Sequence, residues 1–212
     1  MTHSSPAASL QGHALTCIRD DRTLFSDLSF RLEPSQTLLV EGRNGSGKTS
    51  LLRMLCGIRM PDEGQITWND NDIFKLSTDY LASIAYIGHK DGVKLDLTAD
   101  ENLAFVKNLG NPEHGVSNET ALNTIFLSGY DDVPARNMSA GQRRRLALAR
   151  LLVTQSQLWV LDEPFTSLDT QGIELIENLI RKHLSNGGML VMSSHHAVTL
   201  EKQSIVRINL ST

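Results

Sequence analysis

The chain has 212 residues, 40% of them hydrophobic and 21% charged, and its formal net charge is −4 at pH 7. This length and composition suit a soluble globular domain, or a core with a subdomain, that buries a substantial apolar interior. The negative charge argues against nucleic acid as a bulk electrostatic partner, because binding many phosphates requires an excess of Lys and Arg on one face. No apolar run approaches the roughly 18 to 20 residues that span a bilayer, so we expect no direct membrane insertion.

The first part of the chain alternates apolar runs with turns. Alternating apolar residues between Leu10 and Leu32, interrupted by a charged turn at 19–22, predict an antiparallel hairpin. The apolar run 37–41 predicts a buried strand, and a glycine-rich turn then leads into a helix that ends near Gly57. The run 84–87 predicts a second buried strand.

The rest of the chain is first helical and then alternates strands with helices. Thr98 with Glu101 forms the pattern of a capping box, and Asn118 is a candidate cap for a further helix. We interpret residues 89 to about 153 as an inserted α-helical subdomain, so that 1–88 and 154–212 form the core with an antiparallel β subdomain. Apolar runs predict further strands at 158–161, 189–192 and 204–210, which together indicate an α/β fold with a mostly parallel sheet.

The segment 42–50, GRNGSGKTS, fits the phosphate-binding pattern G-x-x-x-x-G-K-[ST]. Glycines let consecutive backbone N–H groups form a concave nest for an anion, and the N-terminus of the following helix adds positive potential. Lys48 can reach the β- and γ-phosphates, and the Thr49 hydroxyl is a hard oxygen ligand for Mg²⁺. The candidate nucleotide-binding residues are Gly42, Arg43, Asn44, Gly45, Ser46, Gly47, Lys48, Thr49 and Ser50.

Two acidic residues end the predicted strand at 158–161. Asp162 is a candidate to hold Mg²⁺ through water, and Glu163 is a candidate to orient and deprotonate an attacking water molecule. Gly42, Asp162 and His195 each follow a predicted strand, and ligands gather at the carboxyl ends of parallel strands. We therefore expect one site at that edge of the sheet.

The segment 137–145, NMSAGQRRR, predicts the start of another helix. Ser139 with Gln142 has the spacing of a capping box, and Gly141 adds an unhindered backbone N–H, so this helix N-terminus is a second candidate anion site. A plain helix cap is the alternative interpretation. If both anion sites cannot reach one nucleotide within a molecule, a two-fold dimer would let each chain complete the other's site.

These segments resemble the nucleotide-binding subunits of ABC transporters over nearly the whole chain. GRNGSGKT is similar to their Walker A loop, LWVLDEP to the Walker B strand, and Ser167-Leu168-Asp169 to the D-loop. MSAGQ is similar to the LSGGQ signature, with Met138 for Leu and Ala140 for Gly. His195 stands at the position of the switch histidine.

The resemblance implies a P-loop NTPase (RecA-like) core that uses ATP and Mg²⁺. It also implies a homodimer in the ATP-bound state, in which Ser139, Gly141 and Gln142 of one chain act in trans on the γ-phosphate bound by the other. His195 would hold the γ-phosphate and report its loss.

Two positions depart from the general family. ABC ATPases usually have a Gln at the end of the second strand, where it touches Mg²⁺ and water and links to the membrane partner, whereas this chain has His89. A neutral imidazole can accept or donate one hydrogen bond as an amide does, so His89 is a candidate catalytic and metal residue, with a loop histidine as the alternative. The aromatic residue that stacks on adenine in most relatives aligns near Arg19, whose guanidinium can also stack on a base.

Several segments are most similar to the branch of the family that serves haem export in cytochrome c maturation: CIRDDRTLF, SAGQRRRLALARL, LWVLDEPFTSLD and GGMLVMSSHH. This resemblance implies an ABC-type translocase that powers haem export or release of a haem-loaded chaperone. It also implies a CcmB-like integral membrane partner and a peripheral location on the cytoplasmic face of the bacterial inner membrane. Two alternatives stay open, namely the ATPase subunit of another ABC transporter and a soluble ABC ATPase of iron–sulfur assembly.

Overall fold

The computed structural model describes residues 8–76, 78–109, 115–194 and 205–211. The strands in these ranges are β1 Leu10–Arg19, β2 Arg22–Leu32, β3 Thr37–Glu41, β4 Glu63–Trp68, β5 Asn71–Asp72, β6 Ile84–Ile87, β7 Leu158–Asp162, β8 Met189–Ser193 and β9 Ile205–Asn209. The helices are α1 Lys48–Leu55, α2 Ile73–Leu76, α3 Thr78–Ser83, α4 Ala99–Leu109, α5 Asn118–Thr124, α6 Ala140–Thr154 and α7 Thr170–Ser185, with a 3-10 helix at Ala135–Asn137. No helix among the described residues has both the length and the apolarity needed to cross a bilayer.

The described strands form two sheets. One has the order β2-β1-β4-β5, and its strands pair antiparallel, as the hairpin prediction required. The other has the order β6-β7-β8-β3-β9, and each of its pairings is parallel. The prediction of an α/β fold with a parallel core sheet and an antiparallel β sheet is confirmed.

The parallel sheet is covered on both faces, because successive side chains of a strand point to opposite sides. In β7, Leu158 and Val160 pack toward α1 and the antiparallel sheet, in one apolar cluster. Trp159 and Leu161 face the other way and join a second cluster with α6 and α7. Burial on both faces explains why β7 and β8 are continuous apolar runs instead of alternating ones.

Between β6 and β7 the described residues form three α-helices and the 3-10 helix. A third apolar cluster joins them, including Leu103 of α4, Leu122 of α5 and Leu146 of α6. This separate cluster supports a helical subdomain inserted into the core, and its boundaries at 88/89 and 153/154 stay a prediction.

The helix caps in this region are partly as predicted. The Thr98 N–H donates to Glu101 Oε2 at 2.8 Å and the Glu101 N–H donates to Thr98 Oγ1 at 3.2 Å, which confirms that capping box. The Asn118 cap is wrong by one residue, because Ser117 Oγ accepts from the Thr120 N–H and serves as the N-cap of α5. Asn118 instead donates its side-chain amide to Asp100 Oδ1 at 3.0 Å, which ties α5 to α4.

Gly64 provides a test of the contact between β4 and β1. Its φ is +88°, and a Cβ there would lie 2.3 Å from the His13 carbonyl oxygen, whereas Gly57, at φ +69°, has nothing within 4 Å of such a Cβ. We expect Gly64→Ala to lower the free energy of unfolding by about 3 kcal/mol or more, against about 1 kcal/mol for Gly57→Ala, because only the first adds a backbone clash to the left-handed strain. Urea denaturation of both variants measures the difference. Equal losses would show that β1 yields to the added methyl group.

Candidate functional site

The loop between β3 and α1 curls around the side chain of Lys48. Lys48 Nζ donates to the Gly42 carbonyl at 2.7 Å and to the Arg43 carbonyl at 3.3 Å. Gly47, at φ +104°, caps α1, and a Cβ there would lie 3.2 Å from the ring of Phe25. A side chain at Gly47 is therefore disfavoured both by the backbone conformation and by the neighbouring strand β2.

The Asp162 carboxylate lies at the end of β7, between two hydroxyl groups. Thr49 Oγ1 donates to Asp162 Oδ2 at 2.8 Å, and Ser193 Oγ, at the end of β8, donates to Asp162 Oδ1 at 2.6 Å. Asp162 is 2% exposed, so this charge is held almost entirely by hydrogen bonds. Thr49 and Asp162 are 113 positions apart in the chain, and the parallel sheet brings them together.

Glu163 is held in a left-handed backbone conformation, with φ +50°. For a residue other than glycine this conformation costs on the order of 1–2 kcal/mol. The Glu163 N–H donates to both the carbonyl oxygen and Oγ of Ser193, each at 3.1 Å. Its carbonyl accepts from Arg144 Nη2 at 2.7 Å. The backbone on both sides of this residue is thus fixed by neighbours.

Lys48, Asp162 and Glu163 line a cleft of about 550 Å³, a size that suits a nucleotide. Its lining joins five separate segments of the chain: Arg19, Leu24, Asn44, Gly45, Gly47, Lys48, Thr49, His89, Asp162, Glu163 and Thr166. The other candidates of the phosphate loop, Gly42, Arg43, Ser46 and Ser50, are not among the residues that line it. His195 lies outside the described residues.

The second candidate anion site is a capped helix N-terminus. The Ser139 N–H donates to Gln142 Oε1 at 2.8 Å and the Gln142 N–H donates to Ser139 Oγ at 3.2 Å, so the predicted capping box of α6 is confirmed. Gln142 Nε2 also donates to the Tyr130 hydroxyl at 2.7 Å. Ser139, Gly141 and Gln142 do not belong to the cleft lining found in the described part of the chain. The single chain therefore builds its cleft without this helix end.

The segment 167–169 lies directly beside that helix end. A Cβ on Gly141 would lie 3.1 Å from the Ser167 carbonyl oxygen. Asp169 caps α7 by accepting from the Gly172 N–H at 2.8 Å, and it also accepts from Arg145 Nη2 at 2.6 Å. These two interactions, the Gly172 N–H first, hold the pKa of Asp169 below its usual range.

Sequence reasoning missed Arg144, which is 2% exposed. Its guanidinium donates to the carbonyl oxygens of Gly88, Asp162, Glu163 and Pro164 and to Asp91 Oδ1. One signal could have indicated this burial, since Arg144 precedes Leu148 and Leu151 by four and seven positions, on the apolar face of α6. Two serines were also missed: Ser193, described above, and Ser211, whose Oγ accepts from the Arg43 N–H at 2.6 Å.

Comparisons with known proteins place this chain among named relatives. The family model described as ABC transporter matches residues 25–166. The cytochrome c biogenesis ATP-binding export protein CcmA of Nitrosomonas europaea is 46% identical over 211 residues, which cover 99% of each chain. The protein of the same name from Nitrosospira multiformis is 48% identical over 95% of this chain and 98% of its own.

Among solved structures, an ATP binding subunit of an ABC transporter superposes with a TM-score of 0.83 at 20% identity, covering 95% of this chain and 86% of that one. At this identity the likeness concerns the fold alone. The two CcmA relatives, in contrast, match this chain over nearly their whole length, and identities of 46% and 48% show that the three chains belong to one family. The chain therefore belongs to the ATP-binding subunits of the ABC transporter family.

Proposed function

We propose that this ABC ATPase powers an export step of cytochrome c biogenesis, the process for which its relatives are named. The resemblance described above makes haem, or a chaperone loaded with haem, the species that is moved or released. The relatives' shared name favours this step over the other two possibilities, another transporter and iron–sulfur assembly.

The observation that carries the ATPase activity in this proposal is the contact between Thr49 Oγ1 and Asp162 Oδ2 at 2.8 Å, beside Lys48 in one cleft. These oxygens fit Mg²⁺, which binds proteins through one or two oxygen ligands and completes its shell with water and phosphate oxygens. Thr49 would bind the ion directly, Asp162 through water, and His89, which lines the same cleft, is the further metal candidate. When bound, Mg²⁺ would neutralise charge on the phosphate oxygens.

The other residues of the cleft take roles set by their chemistry. The amides of 42–50 would hold the β- and γ-phosphates, and Lys48 would exchange its two carbonyl acceptors for phosphate oxygens. Glu163 would accept a proton from the attacking water. Arg19 lines the cleft near Leu24, which supports a guanidinium stacked on the adenine.

ATP would be clamped between two copies of the chain. Ser139, Gly141 and Gln142 form an anion site that lies outside the cleft of their own chain, and a two-fold dimer would place it against the partner's nucleotide. His195 would hold the γ-phosphate and report its release. Hydrolysis would remove the group that holds the two copies together.

The membrane partner would be a CcmB-like integral subunit, contacted from the cytoplasmic face of the bacterial inner membrane. His89 lines the nucleotide cleft and also a second cleft of about 610 Å³ that includes Arg53, Tyr86 and Arg150. A partner segment docked in the second cleft would touch a residue of the first. His89 would thereby link the membrane subunit to the state of the nucleotide.

The Glu163→Gln variant tests the proposed base. We expect kcat for ATP hydrolysis to fall about 10²–10⁴-fold, because the amide cannot accept the proton, while the affinity for Mg·ATP is retained. Glu174→Gln, on the exposed side of α7, is the matched control. Phosphate release and nucleotide titration measure the two quantities, and size-exclusion chromatography of Glu163→Gln with Mg·ATP should show a dimer. Normal turnover, or a chain that stays monomeric, would contradict the mechanism.

The Lys48→Ala variant tests the phosphate loop. Loss of a charged donor to the phosphates should weaken ATP binding about 10- to 100-fold, whereas Lys75→Ala, an exposed lysine of α2, should leave binding unchanged. Titration with a fluorescent ATP analogue gives both dissociation constants. An unchanged constant in Lys48→Ala would exclude this loop as the phosphate site.

His89 is tested by two substitutions in the chain co-purified with its membrane subunit. His89→Gln keeps a donor and an acceptor, so we expect it to retain most of the stimulation of ATPase activity by that subunit. His89→Ala removes both and should leave basal hydrolysis with little stimulation. ATPase assays with and without the membrane subunit distinguish the variants, and identical behaviour of the two would refute this role.

A further inference from the structure

Arg144 joins two segments of the nucleotide cleft through a single buried side chain. Its Nη2 donates to the Glu163 carbonyl at 2.7 Å and to the Asp162 carbonyl at 3.2 Å. Its Nη1 donates to the Gly88 carbonyl at 3.0 Å and to Asp91 Oδ1 at 3.2 Å. Its Nε donates to the Pro164 carbonyl at 3.3 Å.

The geometry of these contacts requires a guanidinium. Its five donors spread over a planar fork, so one group can satisfy acceptors on two separate chain segments. A lysine carries its three donors on one nitrogen and can serve acceptors around one point alone. The buried charge is compensated by four carbonyl dipoles and by the Asp91 carboxylate, whose side chain is 28% exposed.

Both ends of this bridge adjoin residues that line the cleft. The Glu163 carbonyl belongs to the residue with φ +50°, so Arg144 binds the strained backbone that carries the proposed base. The Gly88 carbonyl belongs to the peptide that joins Gly88 to His89, which lines the nucleotide cleft. A movement of the 88–91 loop would therefore move the Gly88 carbonyl, which accepts from the same guanidinium that binds the Glu163 carbonyl.

We propose that Arg144 is a positioning residue for ATP hydrolysis, which sets the orientation of Glu163 and couples it to the position of the 88–91 loop. This role rests on the proposed function of Glu163 as the base. Arg144 does not line the cleft, so it would act through the backbone and not by touching the nucleotide.

The test compares Arg144→Lys and Arg144→Met with the parent in the full chain. We expect kcat for ATP hydrolysis to fall about tenfold or more in both variants, with the KM for Mg·ATP changed less than about twofold, because the base is misplaced while the phosphate loop is intact. Asp91→Asn keeps the four carbonyl acceptors and should cause a smaller fall. Arg181→Lys, on the exposed side of α7, is the matched control and should behave as the parent.

Coupling to the loop is measured in the chain co-purified with its membrane subunit, by combining Arg144→Lys with His89→Ala and assaying the stimulated kcat, because His89→Ala is expected to change stimulation and not basal hydrolysis. If Arg144 transmits the position of the loop, the double variant should lose little more of the stimulated kcat than Arg144→Lys alone. If the two residues act independently, the loss of the double variant should equal the product of the two single losses. Thermal melting of each variant gives the folded fraction. If Arg144→Met does not fold, Arg144→Lys and Asp91→Asn still decide the question.

Three results would overturn the inference. The first is a kcat of Arg144→Lys equal to that of the parent, and the second is a fall in kcat no larger than the fall in the folded fraction. The third is a double variant whose kcat falls by the full product of the two single losses. Glu163→Gln is assayed in parallel. If that variant turns over ATP normally, the proposed function itself fails. If it is inactive and Arg144→Lys is normal, the positioning role alone fails.

Discussion

The site depends on one buried carboxylate held by two hydroxyl groups. Asp162 accepts from Thr49 and Ser193, and these three residues end or follow three strands of the parallel sheet. Each residue enters from a different part of the chain, and only parallel strands bring their carboxyl ends to one edge. The charge at Asp162 is stable at 2% exposure because both its oxygens have donors. The site therefore requires the parallel sheet.

The same edge carries one of the left-handed non-glycine positions of the described chain. Glu163 follows Asp162 directly and adopts φ +50°, which a non-glycine residue adopts only when its surroundings enforce it. Here the surroundings are Ser193 on the N–H side and Arg144 on the carbonyl side. Because the backbone is fixed at both points, neighbouring residues of the chain itself hold Glu163 in this conformation.

Much of this arrangement is encoded locally and can be predicted. Continuous apolar runs indicate strands buried on both faces, and the spacing of Ser139 and Gln142 indicates a capping box. The local sequence does not indicate whether Ser117 or Asn118 caps α5, because both residue types cap helices. In the structure the Asn118 side chain binds Asp100 of α4, and Ser117 accepts from the Thr120 N–H as the cap.

Contacts between distant segments escape sequence reasoning for a different reason. Ser211 reaches the N–H of Arg43 across 168 positions, and no local pattern marks that pair. Arg144 stands between two other arginines, so composition alone suggests a solvated basic run. Its burial follows from the helical period together with the tertiary structure, which supplies the carbonyl acceptors. The contacts that hold the backbone at Glu163 thus come in part from a residue that no motif marks.

Helix α6 links the two ends of the segment 162–169. Consecutive residues of an α-helix point about 100° apart, so Arg144 and Arg145 face different neighbours. Arg144 binds the carbonyl of Glu163, and Arg145 binds the carboxylate of Asp169. The N-terminus of the same helix is capped by Ser139, which does not line the cleft. Since an α-helix is stiff, a displacement of its Ser139 end would be passed to both arginines, and through them to the segment 162–169.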